Sequence, residues 1–117
     1  MPLADLNGVV TVTPGQKIAY VTDAADTAAN RTAIISLARN ADLLFIEAAF
    51  AQEDAGLAAE RSHLTTAAAG TIAREAQVRR VEPFHFSPRY AGQEERMLNE
   101  VNAAFAGDDV RGGLAAR

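Results

Sequence analysis

The sequence predicts an α/β fold with the element order ββαβααβα, a mixed sheet and covering helices. Three observations lead there. Two β-rich runs flank the turn signal Pro14-Gly15. An unbroken apolar run, Leu43-Leu44-Phe45-Ile46, lies between segments of helical spacing. From Lys17 onward strands alternate with helices, which implies βαβ crossovers and at least partly parallel pairing.

Each element has its own signal. Gly8 to Thr13 alternates weakly through Val9, Val10 and Val12, and Lys17 to Thr22 carries Ile18, Tyr20 and Val21; a hairpin joins them. Asp23 ends the second strand. Thr27 and Asn30 are both candidate N-caps for a helix through Ile34, Ile35, Leu37 and Ala38, which stops at Arg39-Asn40. Four consecutive large apolar residues then read as a strand buried on both faces, ending at Glu47. Glu53 to Arg61 is a short helix. Thr65 or Thr66 caps a longer one reaching about Gln77. Val78 to Phe84 is a strand interrupted by Pro83, and Gly92 to Ala106 is a helix with Met97, Leu98, Val101 and Phe105 along one face. Residues 1–106 read as a single domain. The tail 107–117, with Gly107, Gly112 and Gly113, reads as flexible.

Composition narrows the function classes. Of 117 residues, 49% are hydrophobic, much of that alanine, with only five Phe, two Tyr and no Trp. Such a core suits helices packed closely on a sheet but buries little apolar area per residue. The net charge of −4 argues against a dedicated nucleic-acid module, while leaving room for an enzyme that meets RNA through a local patch. Without cysteine there are no disulfides and no thiolate metal sites, so any metal must be held by His, Asp or Glu, and there are only two His. No apolar run approaches the ~20 residues that span a bilayer. The N-terminus lacks the basic start and apolar stretch of a signal peptide, and the expected location is cytoplasmic.

Ligands gather at the carboxyl ends of strands in such sheets. Three strand ends carry an ionisable residue: Asp23 after Thr22, Glu47 after Ile46, and His85 after Phe84. His63, in the loop before a helix, is within reach of the same edge. Each has a plain structural reading too. A strand-end Asp commonly caps a turn, Glu47 can pair with an arginine, His63 can be an ordinary loop residue, and a His between Phe84 and Phe86 can simply bond to backbone.

Four stretches, in order, carry a more specific signal: Lys17-Ile18-Ala19-Tyr20-Val21-Thr22-Asp23, Ala41-Asp42-Leu43-Leu44-Phe45-Ile46-Glu47-Ala48-Ala49-Phe50, His63-Leu64-Thr65-Thr66 and His85-Phe86-Ser87-Pro88-Arg89-Tyr90. Their order and spacing resemble the second half of a metallo-β-lactamase-fold hydrolase of the ribonuclease Z type. The resemblance runs from about Val12 to Phe105. It implies half of a four-layer αββα fold and a zinc-dependent phosphodiesterase, with RNA or another phosphodiester as substrate. It implies that Asp23 is a carboxylate bridging two zinc ions and His85 a terminal zinc ligand. It implies that His63 acts near the scissile phosphate as proton donor or charge stabiliser, with Glu47 orienting it, and that Ser87 and Arg89 order their loop or meet phosphate.

The sequence departs from that family in two ways. Thr22-Asp23-Ala24 stands where the family has Gly-Asp-Thr. The His-x-His-x-Asp-His motif of the first half has no counterpart. Two ligands do not complete a catalytic zinc site. Three expectations follow: a portion of a hydrolase inactive alone, a non-catalytic dimerising or partner-binding module, or one chain of a split enzyme. In each, the sheet face that meets the missing half is apolar and is covered by a homodimer or by a complementary N-terminal half.

Overall fold

The structure is a computed structural model that describes residues 7–13 and 16–107. The turn expected at Pro14-Gly15 and the tail beyond Gly107 lie outside the described residues. Strands β1 (Asn7–Thr13) and β2 (Gln16–Thr22) come first, then helix α1 (Ala28–Ala38) and strand β3 (Leu43–Glu47). Helices α2 (Ala55–Glu60) and α3 (Thr66–Glu75) lead to strand β4 (Val81–Phe84), and helix α4 (Glu94–Ala106) closes the order. Short 3-10 turns, Gln52–Asp54 and Pro88–Tyr90, precede α2 and α4.

The four strands lie in the order β1-β2-β3-β4. β1 pairs antiparallel with β2, placing Val10 opposite Ala19. β2 and β3 are parallel, with Tyr20 opposite Phe45, and β3 and β4 are parallel, with Phe45 opposite Glu82. The sheet is therefore mixed. Each parallel step is made through helices, α1 in the first and α2 with α3 in the second.

Capping decides the helix starts. Thr27, not Asn30, caps α1, its side chain accepting from Asn30 N at 3.0 Å. Thr65 caps α3 by accepting from Ala68 N at 3.0 Å. In each case the hydroxyl satisfies an N–H that has no intrahelical partner.

The main core lies between the sheet and its helices. Val21, Leu44 and Ile46 from the strands meet Ile34, Leu64, Ile72 and Val101, all fully buried. A second cluster gathers Phe50, Ala58, Tyr90 and Met97. α3 and α4 approach so closely that a Cβ on Gly70 would sit 2.4 Å from Val101 O and 2.7 Å from the Ala104 Cβ. Alanine and glycine on α3 are what permit that contact.

Three expectations are corrected. β3 is buried on one face only: Leu44 and Ile46 are sealed by helices, while Leu43 and Phe45, pointing the other way, are half-buried because among the described residues nothing covers that face. β4 begins at Val81; Val78 is buried, but its N–H bonds Ala73 O at the end of α3. α4 turns Met97, Val101 and Ala104 inward and leaves Leu98 37% exposed, because Ala104 is the residue that meets Gly70.

On the open sheet face Tyr20 is 43% exposed. Its ring stacks on Phe84 at 5.0 Å between centroids and tilts against Phe45 at 6.0 Å. These rings form an apolar surface on the side of the sheet away from the helices.

Candidate functional site

β2, β3 and β4 all end at one edge of the sheet, because the last two steps of the sheet are parallel. That edge holds Asp23, Glu47 and His85. Glu47 is the last residue of β3 and is fully buried. A buried carboxylate is tolerated only when its oxygens are satisfied, and here four groups converge on it. Oε1 accepts from Asp23 N at 3.0 Å and from Thr22 Oγ1 at 3.3 Å. Oε1 also lies 3.2 Å from His85 Nδ1, and Oε2 lies 2.6 Å from His63 Nδ1.

Charge balance follows from this geometry. Burial by itself raises the Glu47 carboxyl. The Asp23 N–H, then the His63 and His85 hydrogen bonds, outweigh it and hold the group below the usual carboxylate range. Glu47 is thus ionised at neutral pH and only accepts hydrogen bonds. Both histidines therefore donate from Nδ1, and in each neutral ring Nε2 is left as the lone-pair nitrogen.

Local backbone geometry aims these side chains. Asp23 has φ 57° and His85 φ 64°, left-handed conformations in which non-glycine residues are uncommon. Asp23 is held there by its bond to Glu47. His85 lies between Ala48 N → Phe84 O (3.0 Å) and Ser87 N → Ala49 O (2.9 Å), which tie its segment to the chain leaving β3. The His63 loop is fixed the same way: His63 N bonds Ala58 O at 2.9 Å and Thr66 N bonds Phe50 O at 2.8 Å. The two imidazoles end 6.2 Å apart, edge to face.

The structure thus brings Asp23, Glu47, His63 and His85 together, while the polar contacts of Ser87 and Arg89 lie within the turn after His85 and with Asp54. Ser87 caps the 3-10 turn Pro88–Tyr90, its Oγ accepting from Arg89 N at 3.4 Å. Arg89 Nη1 lies 3.5 Å from Asp54 Oδ2. The Tyr90 hydroxyl donates to Asp54 and accepts from Ala51 N at 3.0 Å. Burial, then the bond to Asp54, raises that phenol above its ordinary value. This tie holds the Ser87–Tyr90 segment against the 3-10 turn before α2. Sequence reasoning missed it, since Asp54 and Tyr90 are 36 positions apart and share no pattern. It also missed Thr22 as a donor to Glu47, though its place beside Asp23 was the available signal.

Among the described residues, no group of three or more His, Asp or Glu is arranged to hold a metal ion. A catalytic zinc takes about three protein ligands, so the donor set assembled here does not by itself fit one.

Residues 4–86 match the family model described as the beta-lactamase superfamily domain. Ribonuclease Z of Thermobifida fusca is 47% identical over 102 residues, an alignment covering 85% of this chain and 30% of that protein. Ribonuclease Z of Microcystis aeruginosa is 49% identical over 95 residues, covering 78% and 29%. The chain therefore spans about 30% of the length of these curated relatives. Among solved structures, the short form of human tRNase Z superposes with a TM-score of 0.63 at 30% identity, over 70% of this chain and 31% of that one. The metallo-β-lactamase fold protein YhfI of Bacillus subtilis does so with a TM-score of 0.67 at 20% identity, over 86% and 43%, a likeness of fold alone. The chain belongs to the beta-lactamase superfamily domain family, as a ribonuclease Z-like member with the metallo-β-lactamase fold.

Proposed function

We propose that this chain is the C-terminal portion of a metal-dependent, ribonuclease Z-like phosphodiesterase acting on RNA, inactive without the rest of its fold. The observation that carries the reading is the shared bond of Glu47 to both histidines. One carboxylate orients a proton-handling imidazole and a ligand imidazole at the same sheet edge.

Residues 1–106 act as one domain in this reading, half of a four-layer αββα fold. His63, once its ring has taken up a second proton at Nε2 from solvent, donates that proton to the departing oxygen and returns to the neutral Nδ1–H form, and Glu47 balances the ring's positive charge until the transfer. Asp23 and His85 are two ligands of a zinc site whose other ligands lie outside this chain. Ser87 and Arg89 order the loop that follows His85. A complementary N-terminal half covers the open face formed by Tyr20, Phe45 and Phe84 and supplies the missing ligands. The enzyme is cytoplasmic; no helix among the described residues is long and apolar enough to cross a membrane.

A second reading, a non-catalytic dimerising module with vestigial Asp23 and His85, draws on the incomplete donor set. A chimera separates the two. Residues 16–106 replace the matching segment of the Thermobifida fusca ribonuclease Z, and bound zinc is measured in the folded product. The hydrolase reading expects stoichiometric zinc that falls with Asp23→Ala or His85→Ala, and none in the isolated chain. A folded chimera that binds zinc equally well with both residues replaced contradicts it and leaves the module.

A further inference from the structure

Beside the Glu47 cluster lies a cleft of about 240 Å³ that none of the roles above uses. It opens between the segment before α1, the turn before α2, and the first turns of α3. His63 belongs to both places: its Nδ1 meets Glu47, and its ring borders the cleft. The volume is smaller than the ~300–1,000 Å³ that hold drug-sized ligands, so it suits one planar ring and not an extended molecule.

The lining combines smooth walls with a few fixed polar groups. The methyl groups of Ala58, Ala59 and Ala68 contribute apolar surface. Arg31 is held by Asp26, with Nε and Nη2 at 2.7 and 3.1 Å from its carboxylate. That pairing leaves Nη1 to offer a ligand without making the cleft a bare cationic site. Gln52 spends its side-chain carbonyl on Thr65 Oγ1 at 2.7 Å, so what it offers a ligand is its amide N–H group. Arg31 and Gln52 are donors, the Thr71 hydroxyl serves either way, and the Asp26 carboxylate, an acceptor in the lining, is turned to the Arg31 guanidinium. An unpaired base is read by hydrogen bonds to its exposed edge, and donors of this kind match ring carbonyl oxygens.

We infer that the cleft bordered by His63, Arg31, Gln52 and Thr71 is a subsite for one unpaired nucleobase, the one next to the phosphate at His63. This rests on the proposed action on RNA. Gln52 and Arg31 determine its specificity, and bases bearing carbonyl oxygens (uracil, cytosine, guanine) bind in preference to adenine. Neither residue touches the reacting atoms.

The test is an NMR titration of the 117-residue chain with uridine 5′-monophosphate, adenosine 5′-monophosphate and ribose 5-phosphate. The uridine nucleotide is expected to shift the signals of Gln52, Ala58 and Thr71 saturably. The adenosine nucleotide should bind several-fold more weakly, and ribose 5-phosphate should leave those signals in place. Gln52→Glu keeps the acceptor for Thr65 and removes the donor to the ligand, so it should weaken uridine nucleotide binding about fivefold or more. Ala59→Phe, at an exposed position on the rim, should block binding without relying on the fold tolerating a change at Gln52. Equal shifts from ribose 5-phosphate, or unchanged affinity in both variants, would overturn the subsite. The hydrolase reading is tested separately. A zinc-loaded, active chimera whose chain shows no base-dependent shift sinks the subsite alone. Base-dependent shifts in a chain whose chimera is inert support the subsite and count against hydrolysis.

Discussion

Glu47 is the residue on which the site turns. It is buried and ionised, and it accepts from a backbone N–H, a hydroxyl and two imidazoles. Glu47→Gln replaces one acceptor oxygen with a donor, which must face an N–H already donating there. Leaving such a buried pair unsatisfied costs about 1–3 kcal/mol, so urea denaturation should show a loss of that size. The same variant should change the histidines. In the parent chain, nitrogen NMR of the neutral rings should find the proton on Nδ1 of both His63 and His85. In Glu47→Gln the two should no longer share that state; an unchanged pattern would mean that Glu47 does not set it. Sequence reasoning placed Asp23, Glu47 and His85 at strand ends and gave Glu47 the task of orienting His63. Its bond to His85 was not legible, because it joins positions 38 apart through side chains that only the parallel register of β3 and β4 brings together.

At the scale of elements, two contacts make sharp predictions. α3 and α4 meet at Gly70. Gly70→Ala improves helix propensity by roughly 0.5–1 kcal/mol, yet the new methyl would lie against the Val101 carbonyl and the Ala104 side chain. Overpacking against backbone costs about 1–3 kcal/mol, so the net effect on thermal unfolding should be destabilising. Gln77 follows the C-cap of α3 with φ 61° and is exposed. Glycine is the residue that this position favours, and Gln77→Gly should stabilise by about 0.5–1 kcal/mol in the same assay. Asp23 and His85 take the same backbone conformation where they meet Glu47. Element order could be read from the chain because hydrophobic period and turn residues agree at each segment. Element faces could not be read in every case. Leu98 fits the helical spacing of α4 as well as Ala104 does, and only the close approach at Gly70 decides between them. β3 looks buried on both sides because its apolar run assumes a second covering layer, and among the described residues only one face is covered.

That open face is the whole-molecule feature. Aromatic rings cover the sheet opposite the helices, and among the described residues nothing lies over them. Sedimentation velocity of the isolated chain should show concentration-dependent self-association through this face, and Tyr20→Lys should reduce it with little change in stability, since Tyr20 is already 43% exposed. A clean monomer at all concentrations would mean that the face needs no cover. In the proposed function, Glu47 and His63 handle the proton transfer of a ribonuclease Z-like hydrolase once the rest of the fold is supplied. The direct measurement is kcat of the Thermobifida fusca chimera on an RNA with a 3′ extension, with and without His63→Ala. Hydrolysis by the chimera is expected, with a fall of about 10²–10⁴-fold in the variant, the range spanned by a positioned proton donor. A folded chimera whose rate is unchanged by His63→Ala would contradict it.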